Sequence, residues 1–279
     1  MPSLALGRYH ELCVVEHVDG GVLLDGGDDE LFLPDHLAPE RVAVGDRIEV
    51  FLYSGKDGEP QATTHVPAAE VGEVAFLRCV STTAQGAFFD WGVPKDLYVP
   101  PTEHEAPITE GQSYAVVVLV DAKGEQLIGS TRVTRYLDYD VEHLEMDQEV
   151  ELLVFGQIEA GVQVVVDRRH RGLVHRSTIR QPLPIGSQHV GYVRGVREDN
   201  RIDVALTRRG KAAVQDAETV ILEALVEAGG HLPLNDRSPP ATISEALGLS
   251  KKAFKRACGG LYKKRRITLG PDGITLVAS

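Results

Sequence analysis

Between residues 168 and 180 stand seven side chains that carry positive charge or can acquire it: Arg168, Arg169, His170, Arg171, His175, Arg176 and Arg180. That density suits a phosphate-binding rim, because each cation that neutralises a phosphate releases a condensed counterion. Arginine also stacks on bases. A second basic set follows in Lys251, Lys252, Lys255 and Arg256, and a third in Lys263, Lys264, Arg265 and Arg266. Aromatic rings able to receive a base are fewer. In the run Phe88-Phe89-Asp90-Trp91, strand alternation puts Phe88 on one face and Phe89 with Trp91 on the other. Reaction chemistry has no comparable signature: there is no GxxxxGK[ST], HExxH or GxSxG, and no thiolate pair among Cys13, Cys79 and Cys258. The acidic run Asp25, Asp28, Asp29 and Glu30 reads as a turn rather than a two-metal cleft. The expectation is a binding protein and not an enzyme, with no cofactor and no metal.

The elements that position these residues repeat. Gly21, Gly86 and Gly161 each start a β-rich run; Leu31, Leu97 and Leu173 open the next, and Gly45, Gly111 and Gly186 precede a third. From first copy to second these marks are 65, 66 and 66 apart, and from second to third 75, 76 and 75. Units of this length are small domains, not solenoid turns. Each reads as five short strands bounded by Gly, Asp or Pro, and five such strands hide their edges by closing into a Greek-key barrel. After residue 210 the period changes. Ala212 to Ala228 repeats apolar residues at helical spacing, Ile243 to Leu249 reads as a short helix, and Ser250 is placed to cap a third with Phe254, Ala257, Cys258 and Leu261 on one stripe. Gly259 and Gly260 are expected to end or bend it. Ile267 to Leu269 and Ile274 to Leu276 flank the turn Gly270-Pro271-Asp272-Gly273, and the segment is expected to be a winged helix-turn-helix.

Charge divides along the same boundaries. Residues 1–66 hold 4 Lys and Arg against 13 Asp and Glu, residues 67–140 hold 5 against 11, residues 141–210 hold 10 against 10, and residues 211–279 hold 10 against 7. The net charge of −12 thus conceals a C-terminal half with local positive potential, the feature that attracts a polyanion. With no apolar stretch of membrane-spanning length and no signal-like start, the expected setting is the cytoplasm, without a membrane partner.

Arg171-Gly172-Leu173-Val174-His175-Arg176-Ser177 resembles the glycine, leucine, valine, histidine, isoleucine, serine signature of S1 RNA-binding domains, and Gly86-Ala87-Phe88-Phe89 resembles their glycine, alanine, phenylalanine, valine motif. Three such units followed by a winged helix resemble, over residues 1–279, the bacterial conserved virulence factor B family. The resemblance implies three tandem five-stranded S1/OB-fold barrels (1–66, 67–140, 141–210) and a winged-helix domain (211–279) in a mainly β, multidomain, cytoplasmic RNA-binding protein that regulates gene expression. It also implies that Phe88 is a solvent-facing stacker and that His175 lies on the binding face. By the same match Val99 occupies the histidine position in copy two, and Gln163 and Leu23 occupy the stacking slot in copies three and one. Phe155 and Tyr192 then become the stackers of copy three. Copy one, the most acidic, is expected to repel RNA and to serve as a spacer, an orienting device or a protein-binding surface, and the acidic N-terminal barrels are where the ribosome or other proteins would dock. The alternatives are an adaptor that touches RNA incidentally and a winged-helix transcription regulator that binds duplex DNA.

Overall fold

The computed structural model describes residues 4–277 other than 28, 40, 56, 57, 142 and 209, and no side chains at 210–213, 215 and 216; Asp28 of the acidic run lies outside the described residues. The chain is mainly β. Strands β1 (Tyr9–Val18), β2 (Gly21–Asp25), β3 (Glu30–Pro34), β4 (Arg47–Ser54) and β5 (Pro60–Thr63) form a sheet ordered β3-β2-β1-β4-β5, curled so that β3 lies beside β5. A second set closes fully: β6 (Val74–Thr83), β7 (Gly86–Asp90), β8 (Leu97–Val99), β9 (Ser113–Val120) and β10 (Leu127–Ser130). After a one-turn helix α1 (Val133–Tyr136) a third set closes likewise: β11 (Glu149–Ile158), β12 (Gly161–Val166), β13 (His170–His175), β14 (Gln188–Val196) and β15 (Ile202–Ala205). Closure is made by one parallel pairing in each, β8 with β10 and β13 with β15.

The barrels share more core than their separate strand sets suggest. An ordinary strand on a barrel alternates buried with exposed, yet β4 buries Val50, Phe51, Leu52, Tyr53 and Ser54 consecutively. Its second face is covered: Phe51 and Tyr53 belong to the core of the second barrel, with Phe51 edge-on to Trp91 at 5.7 Å. Lys95 of the second barrel donates to the carbonyls of Ser54 and Gly55 at 2.9 and 2.6 Å, and burial lowers its pKa. The valine triplets Val116-Val117-Val118 and Val164-Val165-Val166 follow the same rule. Their outer members fill their own barrels, while Val117 and Val165 meet with Val74, Val133, Leu137 and Leu153 in a joint between barrels two and three.

The C-terminal segment comprises α2 (Gly210–Glu227), β16 (His231–Leu232), α3 (Pro240–Leu247), α4 (Lys251–Lys263), β17 (Ile267–Gly270) and β18 (Gly273–Leu276), with the strands ordered β16-β18-β17. The second helix starts three residues before the expected Ile243, at Pro240, whose fixed φ suits a first helical position, and ends at left-handed Gly248. Ser250 caps α4, its Oγ accepting from the Ala253 amide at 3.2 Å. Contrary to expectation, α4 runs through Gly259-Gly260 without ending. Burial of Leu261 beyond the pair, worth roughly 2 kcal/mol, offsets the roughly 1 kcal/mol cost of each glycine. Among the described residues no helix is long and apolar enough to cross a membrane.

Candidate nucleic-acid interface

The hairpin register fixes which residues share the outer face of each barrel. Leu23 pairs with Phe32, Phe88 with Tyr98 and Gln163 with Leu173. Phe89 is fully buried and Phe88 only half-buried, the sidedness that alternation requires. The Phe88 and Tyr98 rings lie 5.4 Å apart at 39°, and the Tyr98 hydroxyl donates to the Gln85 carbonyl at 2.6 Å. Tyr98 and Phe32, the latter 45% exposed, are two outward rings that sequence reasoning missed. Each covers the glycine that opens the facing strand: an ideal Cβ at Gly86 or Gly21 would stand 2.7 Å from the ring. An aromatic two residues before the partner of a strand-opening glycine, diagonal to it across the hairpin, was the signal that could have found them.

The same register corrects the position of the histidine. His175 pairs with Gly161, as Pro34 pairs with Gly21, and Pro100 lies against Gly86. The residue of copy two at that place is therefore Pro100 and not Val99, which is fully buried. The offset of 76 at Leu173, between two of 75, was a one-residue slip: Leu97 corresponds to Gly172.

On the outer face of barrel three His175 Nε2 lies 3.1 Å from Asp203 Oδ1 and 2.8 Å from the Arg197 guanidinium, which itself bonds Asp203 at 2.9 Å. Arg197 was not foreseen from sequence; it reaches the site because β14 carries it past the end of β15. Arg171 is half-buried on the outer face, while Arg176 and Arg180 are exposed on the 3-10 turn and loop that follow His175; none has an ion-pair partner among the described residues.

Five expected contact residues have partners within the protein. Arg168 stands at the tip of the β12–β13 hairpin, where Asp167 and Arg168 both adopt left-handed backbone, and donates to the Ala68 carbonyl at 3.0 Å. Arg169 donates to Glu73 Oε1 at 3.0 Å, and Arg168 lies 3.8 Å from the same carboxylate. Burial acts to raise the Glu73 pKa, but the Glu70 amide and Arg169 outweigh it and hold that pKa below 4.5. His170 is buried beneath the joint, its ring 5.2 Å from His143 and bonded to the Asp138 backbone, with Nδ1 unpartnered among the described residues. Burial lowers its pKa. Phe155 packs against the apolar cluster of the joint. Tyr192 is covered by Arg208, 4.9 Å from its ring centre, and both reach Glu149. The physical reason is common to the five: the partner surfaces come from barrel two or from distant strands that local sequence does not display.

The helix differs. Lys252, Arg256, Lys263, Arg265 and Arg266 are exposed and have no ion-pair partner among the described residues. Lys251 donates to the Ser238 carbonyl at 2.9 Å, Lys255 faces Asp236 at 3.6 Å, and Lys264 bonds the buried Glu218. Lys251 and Lys252 occupy the first turn of α4, where the helix dipole opposes positive charge by a few tenths of a kcal/mol, so helix stability does not account for them. Barrel three abuts this helix: an ideal Cβ at Gly248, in the turn before α4, would stand 2.7 Å from the side-chain amide of Gln181. Gln181 directly follows Arg180. Among the described residues no group of three His, Cys, Asp or Glu side chains is placed to hold a metal ion.

The S1 domain family matches residues 6–65, and the CvfB-like winged helix domain matches residues 219–276. The S1 match thus falls on the first copy, where the notable motifs were weakest. The chain is 28% identical over 273 residues to the uncharacterized protein YitL of Bacillus subtilis, covering 95% of this chain and 91% of that one. It is 25% identical over 281 residues to conserved virulence factor B of Staphylococcus epidermidis, covering 97% and 94%. A solved multidomain protein with nucleic acid binding domains from Streptococcus pneumoniae covers 98% of each chain at 23% identity, with a TM-score of 0.43. The S1 and winged-helix domains support a nucleic-acid-binding role, and neither is an enzyme family.

Proposed function

We propose that this chain, a member of the conserved virulence factor B family by its S1 and winged-helix domains, binds single-stranded RNA and thereby regulates gene expression in the cytoplasm. The reading takes the chain as four units, 1–66, 67–140, 141–210 and 211–279. Phosphates lie on Arg171, Arg176 and Arg180 of barrel three and continue along Lys252, Arg256, Lys263, Arg265 and Arg266, while bases stack on exposed rings. The observation that carries this reading is the contact of Gln181 with Gly248, which brings the loop bearing Arg176 and Arg180 to the turn that starts α4. Two basic segments that are distant in sequence thereby approach each other at Gln181 and Gly248, despite a net charge of −12.

Barrel two adds the Phe88–Tyr98 ring pair as a second place for bases, on a unit whose acidic balance weakens its hold on phosphates. Barrel one offers Phe32 in the corresponding place and is fixed to barrel two through Phe51, Tyr53 and Lys95.

The test is a titration of labelled single-stranded RNA and of duplex DNA with the full chain across a salt series. Single-stranded RNA is expected to bind more tightly, with a log–log slope of about −0.7 per phosphate contacted. Replacing Arg176 and Arg180 by Ala flattens that slope by roughly 1.4. Preference for the duplex, or no measurable binding of either, overturns the reading.

A further inference from the structure

Between α4 and the β17–β18 hairpin lies a cavity of about 260 Å³, below the roughly 300–1,000 Å³ of pockets that enclose drug-sized ligands. Its floor is apolar: Phe254 and Cys258 of α4 and Ile274 of β18 are buried there, and Leu269 of β17 forms a lip that is 51% exposed. Burial pushes the Cys258 thiol up to about 11, so it meets a ligand as a neutral, unreactive contact.

On the helix side Lys255, facing Asp236 at 3.6 Å, also lines this groove. Gly259 lines it, and a Cβ added there would meet nothing within 4 Å. At its neighbour Gly260 a Cβ would overlap Glu218 Oε1, so that the carboxylate bonded to Lys264 would have to move. No neighbour in the protein demands Gly259, although a glycine inside a helix costs roughly 1 kcal/mol relative to alanine. Glycine at such a place is what close approach by another chain requires. At 3.6 residues per turn, Lys252, Arg256, Gly259 and Lys263 stand in one row on the exposed face of α4. Tyr262, 55% exposed, follows on the flank shared with Lys255.

We propose that this groove receives one unstacked base of a single-stranded RNA, inserted past Gly259 between α4 and Leu269, while the flanking phosphates lie on Lys252, Arg256 and Lys263. The inference rests on the reading of the chain as a single-stranded RNA binder and adds to it a site for a base beyond the barrels. A flat heteroaromatic ring fits an apolar slot too small for a larger ligand, and the three cations, unpaired among the described residues, supply the charge its backbone needs.

Gly259→Leu in the full chain tests the site, with a labelled oligoadenylate and an abasic oligomer of the same length as probes. The variant keeps or raises the unfolding temperature, since leucine is the better helix former and its Cβ meets open space. It loses about tenfold in affinity for oligoadenylate, the value of one stacked base, with the salt slope unchanged. Both proteins bind the abasic oligomer equally. Leu269→Ala, an exposed substitution, reads out the same loss without touching the helix. Undiminished oligoadenylate binding by both variants removes the groove from the site. An equal loss on the abasic oligomer also overturns the proposal, because it means that the leucine obstructs phosphates and not a base. If the parent chain binds neither probe, the underlying reading fails instead.

Discussion

The β12–β13 hairpin and helix α4 both carry dense positive charge, yet the two are used differently. At the hairpin the guanidinium groups of Arg168 and Arg169 turn toward Glu73 of the second barrel and His170 sinks into the joint. Along α4, Lys252, Arg256 and Lys263 point to solvent with no carboxylate opposite, among the described residues. The difference lies in what faces each segment and not in its composition. A hairpin tip is short, rigid and able to reach into a neighbouring domain, whereas a row along a helix whose opposite face is buried in its own core has only solvent to face. Cations at a joint add geometry to the assembly; cations on a free helix face remain available to a ligand.

The comparison can be broken most directly by removing charge from each side in turn. Lys252, Arg256 and Lys263 replaced together by Ala should flatten the RNA salt slope by about 2, which at about 0.1 M salt amounts to a loss near a hundredfold. Arg168 and Arg169 replaced together should leave the slope unchanged and lower thermal stability. If the hairpin pair flattens the slope as the helix set does, the assignment of the hairpin to the joint is wrong. The next largest effect is expected at the carboxylate that holds the hairpin. Glu73→Gln keeps the shape but withdraws the charge opposite two arginines, costing about 2 kcal/mol by chemical denaturation. Its RNA affinity should rise slightly if at all, because the freed Arg168 guanidinium stays near Ala68 and Glu151.

Much of the fold was legible in the chain. The glycine and leucine offsets gave three like units, turn residues gave the strand breaks, and Ser250 marked the start of α4. What was not legible depended on partners far away. Val117 and Val165 could be read as members of apolar runs covered on both faces, but nothing in those runs says that they cover each other. Arg169 and Glu73 are 96 residues apart, and no local pattern pairs them. The one-residue slip at Leu173 is of another kind: it was present in the offsets as 76 between two values of 75, and strand register resolved it to Gly172. Phe32 and Tyr98 stand on the third strand of each unit, whereas the motif that marks an outward ring lies on the second.

A finer test lies within α4, where two adjacent glycines face opposite conditions. Gly260→Ala displaces the Glu218 carboxylate from its bond to Lys264, and should destabilise the winged helix by about 1–3 kcal/mol. Gly259→Ala should stabilise it by up to about 1 kcal/mol. Similar signs for the two in thermal unfolding would mean that α4 does not pack on α2 through the Gly260 face.

The smallest expected effect concerns the histidine that the joint took from the basic segment. Desolvation lowers the His170 pKa below its ordinary 6.5, with His143 adding to the shift and Asp138 and Asp167 opposing it. The folded chain therefore holds His170 neutral, while the unfolded chain binds a proton there first as the pH falls. Its contribution is complete above about 6.5 and is withdrawn as the pH drops toward the lower folded value. Glu73, with its pKa held below 4.5, keeps its own contribution until more acidic conditions, so the two are separable. Between about pH 7.5 and about pH 5.5 the parent chain should lose unfolding temperature, and His170→Gln, which does not titrate, should lose less. An identical loss in both would assign the pH dependence to other groups and leave His170 a packing residue, whereas a smaller loss in the variant ties the stability of the barrel joint to the protonation of His170.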